Sequence, residues 1–397
     1  MSSPRVLFVN HASVLSGAEL YLIDAVRAFG STSHVVLFES GPLRERLRDD
    51  DVSAEVCPAP PSFLDVATSD GWGAALHAVP ALLRLTAEVA DRARDYDLLY
   101  ANSQKAFLVA GLAGMLTGRP VIWNLHDVLT ADHFSTLNRT VAVAWANLFA
   151  DRVIVNSEAT KDAFVQSGGR REKASVVYNG FDPAPFEAIS ETEVQRARRE
   201  IGLEEDVPYV GVFSRLAPWK GQHVLLDALA EIPDLHAVIV GEALFENDQS
   251  YVRSLHDQAE RLGVTDRVHF LGFRSDIPVL MQAVDLVAHT STTPEPFGRV
   301  IVEGLLAGRP VIATQAGGAA EILDDPETGW LVPPGEATDL AEALQTAIHA
   351  SGASHSHPGN EPSPCTRAVQ GYKMAQQRFS VERMRSALRE HVDRAVR

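Results

Sequence analysis

Arg215 and Lys220 are the residues whose types and spacing best suit chemistry on an anion. They lie in the stretch 213–221, between an apolar run that predicts a buried strand and the start of a predicted helix. Only five of the 35 basic residues are lysines, so lysine at this position is uncommon usage. A planar guanidinium and a mobile ammonium together suit a diphosphate group. The alternative is a pair of solvated surface cations.

Two glutamates follow in the stretch 293–304. Glu295 lies between two prolines after a predicted strand, and Gly298 opens a predicted helix that carries Glu303. Eight residues along a helix span about 12 Å, whereas the two carboxylates of a glycosidase lie about 5–9.5 Å apart. The spacing therefore favours two glutamates that bind separate parts of one long ligand. Ordinary helix-cap chemistry is the alternative.

Two further candidates lie in the first half of the chain. Gly17 stands between the first predicted strand and its helix, where a dinucleotide-binding fold has G-x-G-x-x-G. Only one of those glycines is present, so the loop predicts a helix N-terminus open to an anion rather than a nicotinamide site. His126 follows a predicted strand and would face the same ligand. A plain turn glycine and a structural histidine are the alternatives.

The elements that must position these residues alternate between short apolar strands and helical segments. In the first half the predicted strands are 6–9, 35–38, 98–100, 121–123, 153–155 and 175–178, and the helices are 17–29, 75–95, 104–117, 134–149 and 157–167. In the second half the strands are 209–213, 237–240, 268–270, 286–288 and 310–313, and the helices are 191–201, 220–231, 249–262, 298–307 and 336–349. Apolar strands joined by helices are typical of parallel sheets covered on both faces. We predict an α/β fold of two Rossmann-like doubly wound domains that face each other across a cleft.

The domain boundaries follow from a proline-rich break near 181–185 and from an amphipathic segment that begins after Ser380. We predict an N-terminal domain, a second domain and a C-terminal helix that returns to the first domain, at 1–185, 186–378 and 379–397. A Ser/Pro/Gly-rich stretch at 351–365 predicts a loop.

Composition and charge exclude several classes of protein. The 397 residues suffice for two to three domains, and 35 basic against 52 acidic residues give a net charge of −17. A nucleic-acid-binding protein needs a basic surface, so we expect no nucleic-acid partner. Two cysteines, Cys57 and Cys365, cannot form a disulfide framework, and no apolar run is long enough to span a membrane. A cytoplasmic location is predicted.

Five places in the sequence together resemble the retaining glycosyltransferases of family 4, the sucrose-synthase and mannosyltransferase-like group, which have the two-domain GT-B fold. The resemblance covers nearly the whole chain and is most specific at 294–314. The five places are Ser16-Gly17-Ala18-Glu19, His126-Asp127, Tyr178-Asn179-Gly180-Phe181-Asp182, Arg215 with Lys220-Gly221, and Glu295 with Glu303. Ser214 departs from the family pattern, which commonly has glycine before the arginine.

The resemblance implies a catalytic group of four residues. Arg215 and Lys220 would bind the diphosphate of a nucleoside-diphosphate sugar, Glu295 would hold hydroxyls of the transferred sugar, and His126 would lie beside that sugar. Fixed cations can stabilise a leaving diphosphate. The implied reaction is therefore a front-face displacement with retention that needs no metal and no cofactor.

Six further positions would bind the donor, through its ribose, its sugar, its phosphates and its base. Glu303 would bind the ribose, and the backbone N–H groups of Phe297 and Gly298 would bind the sugar. Gly17 would contact the phosphates, and Gly272 with Phe273 would contact the base.

Metal sites are not predicted. Asp95 and Asp97 have the D-x-D form that binds a metal on nucleotide sugars in other folds, but they precede their strand and so lie at the wrong edge of the sheet. His355 and His357 lie in the polar loop, which indicates solvated side chains rather than metal ligands.

The predicted function is transfer of a sugar from a UDP-sugar, favoured over a GDP-sugar, to a soluble acceptor such as a natural product or an oligosaccharide. The helices at 104–117 and 134–149 carry one basic residue each, Lys105 and Arg139, so at most weak membrane association is expected. The second of these helices is mostly apolar and is predicted to be core. The alternatives are a nucleotide-sugar epimerase of the same fold, a peripheral-membrane lipid glycosyltransferase and a catalytically silent scaffold.

Overall fold

The computed structural model describes five stretches of the chain, residues 3–64, 72–131, 134–244, 248–352 and 363–397. The chain divides into two units, one formed by Met1–Gly180 with Val381–Arg397 and the other by Phe181–Ser380. Each unit has a parallel sheet and hydrophobic clusters of its own. The domain limits at 1–185, 186–378 and 379–397 stay predictions.

The described residues of the first unit form a sheet of seven parallel strands. In chain order they are β1 Val6–Asn10, β2 Ser33–Leu37, β3 Ala54–Val56, β4 Leu98–Ala101, β5 Val121–Leu125, β6 Arg152–Val155 and β7 Ala174–Val176. Across the sheet the order is β3-β2-β1-β4-β5-β6-β7. The order reverses between β1 and β4, and the loops after such strands border the crevice where ligands of doubly wound sheets bind.

Helices cover this sheet. They are α1 Gly17–Arg27, α2 Pro42–Asp49, α3 Pro61–Leu64, α4 Trp72–Ala93, α5 Gln104–Thr117, α6 Thr136–Phe149 and α7 Glu158–Gln166. The last three begin after Ser103, Ser135 and Ser157, whose side chains each accept a hydrogen bond from a backbone N–H three residues on. These serine caps satisfy donors that the first helical turn leaves unpaired.

Helix α6 corrects one prediction. Its buried residues are Ala142, Val143 and Ala146, whereas Leu137, Val141 and Leu148 are exposed, the last by 73%. The apolar composition is therefore divided between a buried face and an outward face. The helix at 134–149 is not core throughout.

The described residues of the second unit form a sheet of six parallel strands. They are β8 Tyr209–Phe213, β9 His236–Val240, β10 Val268–Gly272, β11 Leu286–His289, β12 Val311–Thr314 and β13 Trp330–Val332. The order across the sheet is β10-β9-β8-β11-β12-β13. Because β8 and β11 are neighbours at the reversal point, the loops that follow them lie side by side at one edge of the sheet.

The helices of the second unit include α16, which the sequence analysis missed. They are α8 Ala184–Glu187, α9 Glu191–Glu200, α10 Gln222–Ala230, α11 Gln249–Leu262, α12 Ile277–Ala283, α13 Arg299–Leu306, α14 Gly318–Ile322, α15 Ala337–Gly352 and α16 Pro364–Arg378. The predicted loop at 351–365 is thus helical at both ends. Its remaining polar part, with His355 and His357, lies outside the described residues.

The C-terminal helix α17, Val381–Val396, packs within the first unit. Val381, Met384, Leu388 and Val392 are buried along one face, at the positions that the 3.6-residue period places inside. They share a hydrophobic cluster with side chains of α1. Arg385 Nη2 also donates to Asp24 Oδ1 at 3.0 Å.

Both units are Rossmann-like, and the predicted α/β class with two doubly wound domains is confirmed. Among the described residues, no helix combines the length and the apolar character needed to cross a membrane. Within the same stretches, no three His, Cys, Asp or Glu side chains are grouped as a metal ion would need. Asp97 Oδ2 accepts the backbone N–H of Arg5 at 2.8 Å, where β1 and β4 begin.

Candidate active site

Arg215 and Lys220 lie in the loop between β8 and α10. The last residues before α10, Pro218–Lys220, form a short 3-10 turn. Two backbone hydrogen bonds hold the loop on either side of Arg215. Ser214 N donates to Val240 O, at the end of β9, at 3.0 Å, and Leu216 N donates to Glu242 O, just after β9, at 2.9 Å. Both cations therefore originate at the carboxyl edge of the sheet, where ligands of such sheets bind.

Gly221 brings the end of this loop against the segment after β11. Its φ is +71°, and a Cβ here would lie 1.9 Å from the carbonyl oxygen of Thr290. The Thr290 hydroxyl donates to the carbonyl of Lys220 at 2.8 Å, and the backbone N–H of Thr292 donates to the carbonyl of Trp219 at 2.8 Å. Glycine is required both by the left-handed backbone and by the close approach. The two loops are thereby fixed to each other.

Replacing Gly221 with alanine is expected to lower the free energy of unfolding by about 2–4 kcal/mol, because the left-handed backbone and the overpacking both cost energy. Gly263→Ala is the matched control, since Gly263 has a φ of +67° with nothing within 4 Å. It should cost only about 1–2 kcal/mol. Urea unfolding followed by circular dichroism measures both, and equal losses would contradict the close approach.

Glu295 is the centre of a buried charged cluster. Its side chain is 8% exposed, and its Oε1 accepts from Lys220 Nζ at 2.5 Å and from the Ser291 hydroxyl. The Nε2 of His289 lies 2.9 Å from the same oxygen. Every contact described for this carboxylate involves Oε1. The fold thus joins Lys220 and Glu295, which are 75 residues apart in sequence, as an ion pair.

The charges around Glu295 keep it ionised. Burial alone would raise the pKa of this carboxyl, but the Lys220 ammonium and His289 outweigh burial and hold the pKa well below its ordinary value of 4.5. The His289 ring is oriented from its other side by Thr314, whose Oγ1 lies 3.3 Å from Nδ1. His289 was not among the predicted site residues, although a histidine at the end of an apolar strand is a visible signal in the sequence.

Trp219 contacts both cations of the loop. The Cζ of Arg215 lies 5.2 Å from the centroid of its ring, and the Nζ of Lys220 lies 4.2 Å away. Both distances fall within the range of cation–π attraction. The indole holds two like charges near each other in advance of any ligand. Trp219 was not among the predicted site residues, although an aromatic side chain next to the loop lysine is a visible signal in the sequence.

Two glycines after β12 hold the backbone of Glu295 and its neighbours. The N–H of Gly318 donates to the carbonyl of Glu295 at 2.9 Å. A Cβ on Gly317 would lie 2.2 Å from that carbonyl oxygen, and one on Gly318 would lie 2.6 Å from the Cα of Phe297. The Gly-Gly pair, which the sequence analysis missed, is thus needed for the close approach.

Helix α13 starts at Arg299 and carries Glu303. Gly298 is its N-cap, with a φ of +99°, so Glu295 precedes the helix and the helical distance from 295 to 303 does not apply. Glu303 Oε1 lies 3.5 Å from Arg299 Nη2, and the Arg299 guanidinium lies 4.5 Å from the ring of Phe181. Among the described contacts, none joins Glu303 to the Lys220–Glu295 cluster.

Gly272 ends β10 and Phe273 follows it, at the same edge of the sheet as the cations. Gly272 has a φ of +66°, and its carbonyl accepts from the N–H of Gly241 at 2.8 Å. Phe273 is 68% exposed. An exposed ring at a ligand-binding edge can stack on a planar group.

Gly17 is the exposed first residue of α1, in the first unit. The motif around it is held by Glu19, which is buried. The Glu19 carboxylate accepts from the Ser16 hydroxyl and from Asn10 Nδ2, the latter at 3.2 Å. These bonds fix the loop and leave the helix N-terminus exposed.

His126 directly follows β5 and lies against buried amides. Its Nε2 is 2.7 Å from Asn124 Nδ2 and 2.9 Å from Asn102 Oδ1. Asn102 Nδ2 in turn donates to Asn10 Oδ1 at 3.3 Å, and the ring of Tyr21 packs edge-on at 5.2 Å. A row of amides at the ends of three neighbouring strands therefore orients the imidazole. A polar residue inside an apolar strand, Asn124, was the signal that the sequence analysis missed.

His11, which the sequence analysis also missed, lies at the same edge of the first sheet. Its Nδ1 is 2.7 Å from the Ser103 hydroxyl. Burial, together with the Lys105 ammonium, lowers the pKa of His11 to about 4. The imidazole is therefore neutral near pH 7.

Two family models match the chain, and each lies within one unit. The model described as Glycosyl transferases group 1 matches residues 193–360. The model described as Glycosyl transferase 4-like domain matches residues 18–180.

Solved structures of Anabaena HepE are similar over almost the whole chain. The complex with UDP and glucose is 42% identical and has a TM-score of 0.86, covering 98% of this chain and 99% of that chain. The complex with UDP-glucose is 41% identical with the same TM-score of 0.86, over 98% and 99% of the two chains.

Curated relatives match over shorter stretches. The D-inositol 3-phosphate glycosyltransferase of Corynebacterium kroppenstedtii is 34% identical over 205 residues, which are 50% of this chain and 45% of that protein. The putative glycosyltransferase EpsD of Bacillus subtilis is 27% identical over 302 residues, which are 73% of this chain and 74% of that protein. The chain thus spans less than half the length of the first of these two relatives.

Proposed function

We propose that this chain, which belongs to the group 1 glycosyltransferases, transfers a sugar from a UDP-sugar to a soluble acceptor with retention of the anomeric configuration. The observation that carries the proposal is the pairing of Lys220 with the buried Glu295 at 2.5 Å, beside Arg215 and Trp219 at the carboxyl edge of the second sheet. The similarity to HepE, solved in complex with UDP-glucose, supports UDP as the nucleotide.

The catalytic roles follow from charge and position. We assign the donor diphosphate to Arg215 and Lys220, which Trp219 holds near each other. Glu295 would accept hydroxyls of the transferred sugar through Oε2, since its described contacts all involve Oε1. His126 would contact the same sugar, with its ring oriented by buried amides.

The other donor contacts are proposed for residues of α1, β10 and α13 and for the segments next to these elements. The ribose is assigned to Glu303, the sugar to the backbone N–H groups of Phe297 and Gly298, the phosphates to Gly17, and the base to Gly272 and the exposed ring of Phe273.

The proposed reaction breaks the bond between the anomeric carbon and the β-phosphate oxygen. Its electron pair leaves with UDP, and the acceptor oxygen forms the new bond on the same face of the sugar. The acceptor proton passes to a phosphate oxygen of the leaving group. Negative charge grows on the diphosphate as the bond breaks, and preorganised cations stabilise that charge most effectively.

Calorimetric titration with UDP and GDP, followed by incubation with radiolabelled UDP-sugars and candidate acceptors, tests the proposal. We expect UDP to bind more tightly than GDP and label to reach an acceptor. Proton NMR of the product would show the anomeric configuration of the donor. Failure to bind either nucleotide would refute the proposal, and conversion of UDP-sugar without any acceptor would favour an epimerase instead.

A further inference from the structure

We infer that Gln222, the first residue of α10, is a positioning residue that sets the affinity of the site for a diphosphate by fixing the backbone of Arg215. The inference rests on the proposed function, because it concerns the group that binds the donor diphosphate. Gln222 belongs to none of the motifs discussed above. Its side chain is fully buried, at 0% exposure, although a glutamine at a helix start is ordinarily solvated.

The Gln222 amide uses its hydrogen-bonding groups on the loop that carries the arginine. Nε2 donates to the hydroxyl of Ser214 at 2.9 Å and to the backbone carbonyl of Arg215 at 3.0 Å. Its Oε1 accepts from the hydroxyl of Tyr251, on α11, at 3.1 Å. A buried amide with two donated and one accepted bond has one favourable orientation, so it rigidifies what it touches.

The consequence for the cations is geometric. The Lys220 end of the loop is fixed through Gly221 against Thr290, while Gln222 fixes the Arg215 end from the same helix start. The two side chains then lie on one indole, 5.2 Å and 4.2 Å from its centroid. Gln222 therefore fixes the backbone from which the Arg215 side chain extends, and so limits how far the guanidinium can move relative to the Lys220 ammonium. This matters because a bidentate contact with phosphate tolerates little displacement.

Ser214 strengthens the assignment. The position before the arginine is the one at which this chain departs from the glycine of the resembled family, and its hydroxyl here accepts one of the two Gln222 N–H groups. The serine thus supplies a partner that glycine would lack. In this chain the glutamine therefore holds the loop at two consecutive residues, Ser214 and Arg215.

Tyr251 holds the Gln222 amide through the hydrogen bond that its hydroxyl donates to Oε1. Its hydroxyl also accepts the backbone N–H of His223 at 3.2 Å. Burial raises the pKa of Tyr251 to about 12, so the phenol stays protonated and keeps donating to Gln222 at neutral pH.

Gln222→Met tests the inference, because methionine preserves length and removes both donors. Gln258→Met is the matched control: Gln258 also donates to a backbone carbonyl in the same region, that of His223 at 3.0 Å, and has no described contact with the 214–215 loop. Calorimetry or ligand-observed NMR measures binding of UDP and of uridine, which lacks the diphosphate. Thermal unfolding reports the stability of each variant.

For Gln222→Met we expect UDP to bind about 10- to 100-fold more weakly, because a displaced Arg215 guanidinium would lose a hydrogen bond to the charged diphosphate. Uridine should bind as to the wild type. Gln258→Met should bind both ligands normally. Tyr251→Phe should weaken UDP in the same direction by a smaller factor, and it carries the test if Gln222→Met does not fold.

Equal weakening of UDP and uridine would overturn the inference, because it would indicate a general packing role. Unchanged UDP binding by a folded Gln222→Met, with UDP binding by the wild type intact, would refute the inference alone. If the wild type bound no UDP, the proposed function would fall first and the inference with it.

Discussion

Exchanging Lys220 for methionine is expected to reduce kcat/KM for sugar transfer by about 10²–10³-fold, the usual loss when one preorganised charge stabiliser is removed. The Lys220 ammonium lies 4.2 Å from the Trp219 ring and 2.5 Å from Glu295. Methionine keeps most of the apolar stem, so the loss reports the charge rather than the packing. Initial rates of UDP release from UDP-sugar in the presence of acceptor measure the effect.

The same exchange should also destabilise the second unit, because it leaves the Glu295 carboxylate buried without its cation. Removing one partner of a buried pair costs about 3–5 kcal/mol, and the cost is smaller here since Lys220 is 15% exposed. The double variant Lys220→Met with Glu295→Gln removes both charges. It is expected to recover much of the stability while remaining inactive.

Lys161→Met is the control for Lys220→Met. Lys161 forms a pair with the exposed Glu158 at 3.1 Å on α7, and such surface pairs contribute about 0–1 kcal/mol. This variant should keep the wild-type rate and stability. A folded Lys220→Met with the wild-type rate would contradict the assignment of the diphosphate to this loop.

The sequence predicted the long elements well because both faces of each sheet are covered. Strands such as β1 and β8 are buried along their whole length and therefore appear as continuous apolar runs. β3 and β13 were not predicted, because each has three mostly half-buried residues, too few to show an apolar pattern. The start of α16 was not predicted because Pro364 was interpreted as a loop residue. Proline is in fact favoured in the first turn of a helix, here after the Ser363 cap.

The candidate site was predictable only where a residue type was unusual for its place. Arg215 lies just after β8, Lys220 lies just before α10, and Glu295 lies between two prolines after β11. The alternation of strands and helices is enough to place all three at the carboxyl edge of the sheet. The contacts between the Lys220 loop and the segment that carries Glu295 depend on β8 and β11 being neighbours. That neighbour relation is a property of the assembled sheet, so no local pattern could reveal those contacts.

Exchanging Glu295 for glutamine is expected to reduce kcat/KM by about 10²–10³-fold as well, for a different reason. Glutamine has the same shape but no charge, so Lys220 loses its anion at 2.5 Å and the donor sugar loses a strong acceptor for its hydroxyls. KM for the donor should rise along with the fall in kcat. Steady-state kinetics with varied UDP-sugar measure both parameters, and an unchanged KM and kcat in a folded variant would refute the sugar-binding role.

The pH dependence of stability separates the charge of Glu295 from its shape. Its folded pKa lies well below 4.5, the ordinary value, so the unfolded chain takes up the proton first as the pH falls. The wild type should therefore exceed Glu295→Gln in stability by a constant amount above about pH 5.5, and the difference should shrink as the pH falls below 4.5. Glu303→Gln is the control for loss of a carboxylate on the neighbouring helix, because the Glu303–Arg299 pair, at 3.5 Å, is partly exposed and such pairs contribute little to stability. An ionised Glu295 carboxylate stabilised by Lys220 and His289 must lose that stabilisation in acid. A stability difference between the wild type and Glu295→Gln that did not change between pH 6 and pH 3 would therefore mean that these partners do not stabilise the ionised form.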